Sequence, residues 1–99
     1  VIEENRLSKL LNMIGKRAFI CYFHILNNED ISQEDKIVLL SHQYKYAGAK
    51  IRVDNFVKLK QLKDGIMSAL ALIESSTNRT PDAFRRQAKL LQTSLYKKE

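Results

Sequence analysis

From Lys50 to about Ser75 the apolar residues Val53, Phe56, Leu59, Leu62, Ile66, Leu70 and Ile73 advance in steps of three and four. That rhythm brings a side chain back to the same side of a helix at every turn, and it does not fit the two-residue alternation of a half-buried strand. A chain that keeps helical phase over so long a run is committed to helical packing. The two halves of the run differ. Residues 50 to 63 have a broad basic face, whereas residues 66 to 73 are apolar almost all round, the pattern of a helix enclosed by its neighbours. The second half is therefore expected at the centre of the molecule. Gly65 is the weak point between them, since glycine within a helix costs about 1 kcal/mol relative to alanine.

Other segments repeat the pattern. From Glu3 to about Leu26 one stripe runs through Leu7, Leu10, Leu11, Ile14, Ala18, Cys21 and Ile25, widened by Phe19, Phe23 and Leu26. Glu3 and Glu4 suit the positive end of the helix dipole. Gly15, in mid-pattern, either divides the segment or admits a closely packed neighbour. Asn27, Asn28, Glu29 and Asp30 read as a loop, and Ser32 as an N-cap backed by Glu34 and Asp35. The helix that follows, Gln33 to about Tyr44, would bury Ile37, Leu40 and Tyr44. Tyr46 to Ala49, with Gly48, reads as a turn. Residues 75–79 form a polar loop. Thr80 as cap, Pro81 in the first helical position and Asp82 next to it mark a helix start. This last helix buries Phe84, Ala88, Leu91 and Leu95, while Lys97 and Lys98 suit its C-terminal end.

These segments predict an all-α fold: a compact bundle of four to five helices, with little or no sheet and a single domain over residues 1–99. The chain lacks an initiating Met and reads as excised from a longer one. Cys21 is the single cysteine, which forbids an intrachain disulfide and suggests a reducing cytoplasm. No apolar run spans a membrane, and the start lacks a signal-peptide pattern.

Charge supplies the outward-pointing feature. Lys45, Lys50, Arg52, Lys58, Lys60 and Lys63 face Asp54 as the only acid in residues 45–63, so this block holds +5 of a net +6. A focused positive patch attracts phosphates or acidic proteins. Residues 37–56 also partly fit a helix-turn-helix, in which helices two and three cross steeply. Leu40, Tyr44, Tyr46 and Ile51 fall on its apolar positions, Lys45 replaces the turn glycine, and Asp54 occupies a position that should be apolar. On that reading Lys45, Lys50, Lys58 and Lys60 contact phosphates, and Arg52 and Asn55 reach base edges. Arg85, Arg86 and Lys89 add a second backbone contact if the last helix lies on the same side. The expectation is a nucleic-acid-binding domain, with DNA the favoured ligand. The alternative is a bundle whose basic face docks an acidic protein, or a domain that self-assembles through Phe19, Tyr22 and Phe23. A solvated basic face on an ordinary helix is the plain account of the same residues.

No catalytic or cofactor pattern competes. Cys21 and His24 lie one helical turn apart, but structural zinc takes four protein ligands and no second pair exists. Asp30, Glu34 and Lys36 resemble the acid-x-Lys arrangement of a metal-dependent nuclease only superficially, because helix-dipole complementation explains Glu34 and Asp35. No nucleophile elbow or glycine-rich phosphate loop is present. Asn78-Arg79-Thr80 spells a glycosylation acceptor, yet Thr80 is better used as a cap. The reading is thus of a non-enzyme with no cofactor and no metal.

Overall fold

Of the three breaks within the helical stripes, one falls at Tyr22, and the two that organise the molecule fall at glycines. The computed structural model describes the backbone of residues 2–76 and 80–98, and the side chains of residues 5–76 and 80–95. Along it run α1 (Ile2–Ile14), α2 (Lys16–Cys21), α3 (Phe23–Leu26), α4 (Gln33–Leu40), α5 (Tyr46–Lys60), α6 (Gly65–Ser75) and α7 (Asp82–Lys98). No strand occurs among the described residues. The all-α expectation is met. The helix count exceeds the expected four to five because the first segment is divided in three and the third in two.

The first break is Gly15, at φ 89° and ψ 130°. A side chain there has room but would strain the backbone, so the requirement is conformational. Hydrogen bonding continues through the break, with the Gly15 amide donating to the Leu11 carbonyl (2.8 Å) and the Phe19 amide to the Gly15 carbonyl (2.9 Å). The helical phase turns, however. Ala18, Phe19 and Ile20 point inward, and Cys21, which an unbroken stripe would bury, is exposed. The aromatic end of this segment also goes inside. Phe19 and Phe23 are buried against Phe56, with ring centroids 5.4 and 6.3 Å away. Tyr22 packs edge-on to Tyr44. Phe19 and Phe23 therefore widen the buried stripe as expected, which leaves them out of reach as a surface for the alternative of self-assembly.

The second break is the pair Asp64–Gly65. Asp64 is left-handed, at φ 53° and ψ 29°. A Cβ on Gly65 would overlap the Leu59 carbonyl oxygen, so only glycine lets α6 leave so close to the end of α5. What the sequence presents as one helix is a corner.

Two helix starts follow their local signals, whereas the boundary between α4 and α5 does not. The Ser32 hydroxyl accepts from the Asp35 amide at 3.1 Å and starts α4. That helix stops at Leu40, short of Tyr44, and the Ser41 hydroxyl donates to the Val38 carbonyl (2.6 Å) at its end. The connection is Ser41 to Lys45. Tyr46 to Ala49, expected as the turn, is instead the first turn of α5 with Ala49 fully buried. The reason is that Ala49 belongs to the stripe of Val53, Phe56 and Leu59, and burying it extends the helix backward over Gly48. Before α7, the Pro81 carbonyl accepts from Phe84 and Arg85, placing the start within one residue of its expected position. Asn78 and Arg79, and the side chains of Glu3, Glu4, Lys97 and Lys98, lie outside the described residues.

One contiguous core results. α5 packs against α1 and α4, α6 against α7 and α1, and α2 against α7. Ala69, Leu70 and Ile73 of α6 are fully buried. The expectation that 66–73 is enclosed on every side holds for that face only, since Ala71 and Leu72 are exposed. A buried lysine, Lys36, donates to the Leu26 carbonyl at 2.9 Å, satisfying the end of α3. Burial pushes its pKa down, helped by the Lys60 charge and opposed by Glu29.

Candidate functional site

A run of charges along a sequence becomes a surface patch only if the helix brings them to one side, and α5 does not. Lys45 stands exposed at the N-cap of the helix in extended conformation. Lys50 and Lys58 share the outer face, with Asp54 between them. The Lys50 ammonium donates to the Asp54 carboxylate at 2.7 Å, which raises the Lys50 pKa through that hydrogen bond and the carboxylate charge. Lys60 points another way, 3.4 Å from Glu29. Lys63 lies beyond the end of α5, beside α1 and α6. The helical repeat has spread the block around its axis.

Arg52 and Asn55, the expected base readers, are turned back onto their own helix. The Arg52 guanidinium carbon lies 3.8 Å from the centroid of the Tyr44 ring, a cation–π stack. Its Nη1 donates to the Gly48 carbonyl at 3.1 Å, and its buried Nε has no partner among the described residues. A Cβ on Gly48 would sit 3.2 Å from that Nη1, so the glycine leaves the guanidinium its place. The Asn55 amide donates to the Ile51 carbonyl, one turn back, at 2.6 Å. Both residues are half-buried.

The second basic group is built differently. The Arg85 Nε donates to the Glu74 carbonyl (3.0 Å) and its Nη1 to the Asp82 carboxylate (3.1 Å). Arg86 and Lys89 join them around a surface recess of about 360 Å³. The structure thus groups Arg85, Arg86 and Lys89 with two acids, on a helix whose packed neighbours are α6 and α2. It does not group them with the lysines of α5.

The apolar framework of a helix-turn-helix is incomplete. Leu40 is buried and Tyr44 half-buried, but Tyr46 and Ile51 are 51% and 44% exposed. Asp54, on the remaining position, keeps its side chain 40% exposed. What this face offers instead is exposed apolar surface. Tyr46 donates its hydroxyl to the Glu34 carboxylate at 3.1 Å, joining α5 to α4. That bond and the Glu34 charge hold the phenol above the usual tyrosine range. Val38, exposed one turn beyond Glu34, extends the surface along α4. Sequence reasoning missed it, although a signal existed: Ile51 falls out of phase with Ala49, Val53, Phe56 and Leu59.

A concave feature lies elsewhere. Leu7 and Ser8 of α1, Leu62 and Lys63 of the corner, and Ser68, Ala71, Leu72 and Ser75 of α6 line a groove of about 610 Å³. For metal chemistry the molecule offers little. Cys21, His24 and His42 are all exposed, and the described residues contain no group of three or more His, Cys, Asp or Glu side chains able to hold an ion. No described helix is long and apolar enough to cross a membrane. Comparison with protein-family models, with curated proteins and with solved structures found no match.

Proposed function

We propose that this chain is a protein-interaction module that docks an acidic segment of a partner on the outer face of α4 and α5. One observation carries the reading: Tyr46 and Ile51, both about half exposed, stand among Lys45, Lys50 and Lys58. Interfaces place aromatic and apolar anchors inside a polar rim, and the anchors supply most of the affinity. Rim lysines add steering and selectivity for acid. The role is one of binding without catalysis, and an exposed, unpaired Cys21 suits a reducing cytoplasm.

Nucleic-acid contact is the competing proposal, supported by the net charge of +6 and by Lys45, Lys58 and Lys63, which form no ion pair among the described residues. It would run through phosphates and be indifferent to sequence, because Arg52 and Asn55 already have partners. Arg85, Arg86 and Lys89 would contribute only as a separate backbone contact. Asp54, between Lys50 and Lys58, opposes phosphate and acidic side chains alike, so the exposed apolar anchors Tyr46 and Ile51 are what favour docking of a protein.

Amide NMR titration with acidic peptides bearing leucine or phenylalanine, and with random duplex DNA at two salt concentrations, separates the two. The docking reading expects peptide-induced shifts along α5 and α4, and about tenfold weaker binding in Tyr46→Ala and Ile51→Asp. Salt-steep DNA binding without peptide binding would replace it with the phosphate reading. Lys50→Glu and Lys58→Glu would then each lower the logarithmic salt slope by about 0.9.

A further inference from the structure

The geometry points to a second docking surface: we propose that the groove between α1, the α5–α6 corner and α6 receives an amphipathic helix of a partner protein, with acidic residues beside its apolar stripe. This surface is independent of the α4–α5 face and does not rest on the reading given to it.

The argument starts from α6. Its sequence, GIMSALALIES, has Ser68, Glu74 and Ser75 as its only polar side chains. A helix with so little polar surface is normally enclosed on all sides. This one is covered on the side of Ala69, Leu70 and Ile73, while Leu72 remains 40% exposed and Ala71 lies open beside it. The open side is also concave. Ser68, Ala71 and Ser75 follow one another at three and four residues, making a floor of small side chains about two helical turns long. Leu7 and Leu62 form the walls. Small residues let a second helix approach closely, and side chains at matching three- and four-residue steps are what a docked helix presents to a groove.

Depth and charge select the occupant. The volume of about 610 Å³ would accommodate a small molecule, but such sites bury most of their ligand's surface. A lining residue as exposed as Leu72 marks a shallow trough suited to a macromolecule. The Ser75 hydroxyl already donates to the Leu72 carbonyl at 3.1 Å, so the floor does not demand a polar ligand. Among the described lining residues Lys63 alone is charged, and it favours an acidic flank. A second copy of this chain would bring the same lysine and another +6 to the contact, which disfavours self-pairing.

The test is amide NMR of the full chain titrated with a panel of helical peptides. All carry a leucine stripe at three- and four-residue steps, flanked by glutamate in one set and by lysine in the other. The glutamate set should shift Ser68, Ala71 and Leu72, and Ala71→Arg should weaken binding about tenfold or more. Leu72→Ser, at an exposed position that leaves the core untouched, should weaken it as well, and Lys63→Glu should transfer preference to the lysine set. Ile51→Asp, on the other face, should leave this binding unchanged. The proposal fails if no glutamate peptide shifts the groove, or if all shifts fall on α4 and α5. It also fails if the groove proves to be covered by self-association that Ala71→Arg abolishes.

Discussion

α5 and α6 share one apolar rhythm in the sequence and end as opposite kinds of helix. α5 buries a strip of Ala49, Val53, Phe56 and Leu59 and sends its charges outward in several directions. α6 buries Ala69, Leu70 and Ile73 and leaves an apolar flank in solvent. The corner at Asp64–Gly65 separates them, and each helix then meets different neighbours: α1 and α4 for α5, α7 and α1 for α6. The contrast shows that linear charge density does not equal a charged face. Nor does apolar composition on every side guarantee cover on every side. The outer surface of each helix depends on where its neighbours stop.

The largest effect should come from comparing two leucines of α6. Leu70→Ala is expected to cost about 2 to 5 kcal/mol, the range for emptying a packed core site. Leu72→Ala should stay within about 0.5 kcal/mol, as surface changes usually do. Urea denaturation of both variants measures the difference, and similar losses would erase the distinction between the two sides of the helix.

Gly65→Ala addresses the corner itself. Helix propensity alone would favour alanine by about 1 kcal/mol. The overlap with the Leu59 carbonyl should reverse that and leave a net loss of about 1 to 3 kcal/mol, as overpacking usually does. A gain in stability would mean that α5 and α6 run on as one helix. Beside it, Asp64→Gly should raise the melting temperature modestly, because the left-handed conformation costs a non-glycine residue about 1 kcal/mol. A fall would show that the Asp64 carboxylate does something for the corner that its backbone angle does not reveal.

The smallest effects are proton-linked. In Glu34→Gln, Tyr46 should titrate nearer the ordinary tyrosine value, since the carboxylate that raises its pKa is gone. Ultraviolet difference titration against Tyr46→Phe resolves this one phenol, and an unmoved titration would break the α4–α5 link. Because the folded pKa of Tyr46 is raised from 10.0, its contribution to stability is fully present below that pH. The contribution is lost as pH climbs through the folded value. Lys36 works in the opposite sense. Its folded pKa is lowered from 10.5, so the unfolded chain holds that proton more tightly, and stability from this residue rises between the folded value and 10.5. Denaturation of wild type and Lys36→Met across alkaline pH should show the rise only in the wild type.

Several parts of this structure were readable from nearest neighbours in the chain. The Ser32 cap, the start of α7 at Pro81–Asp82 and the central burial of Leu70 follow from capping chemistry and periodicity, which act over a few residues. The ends of the long stripes were not readable. Gly15 and Gly65 are both glycines in helical phase, and the sequence does not distinguish a glycine that is merely tolerated from one at φ 89° or one pressed against a carbonyl. The candidate site was legible as a set of residues and misleading as a surface. Lys50, Arg52, Asn55 and Lys60 sit close in sequence, yet they end on Asp54, Tyr44, Ile51 and Glu29 respectively.

By itself, then, the sequence determined that this chain is helical, where α1, α4 and α7 begin, and most of the side chains that had to leave water. Periodicity and capping settle those points locally. Tertiary structure alone decided that Cys21 faces out, that the basic block is divided among separate sides, and that α6 keeps an uncovered flank. Each of these depends on a helix's rotation about its axis and on the reach of the helices packed against it. Those are fixed only when the breaks at Gly15 and Asp64–Gly65 set the angles at which the segments meet.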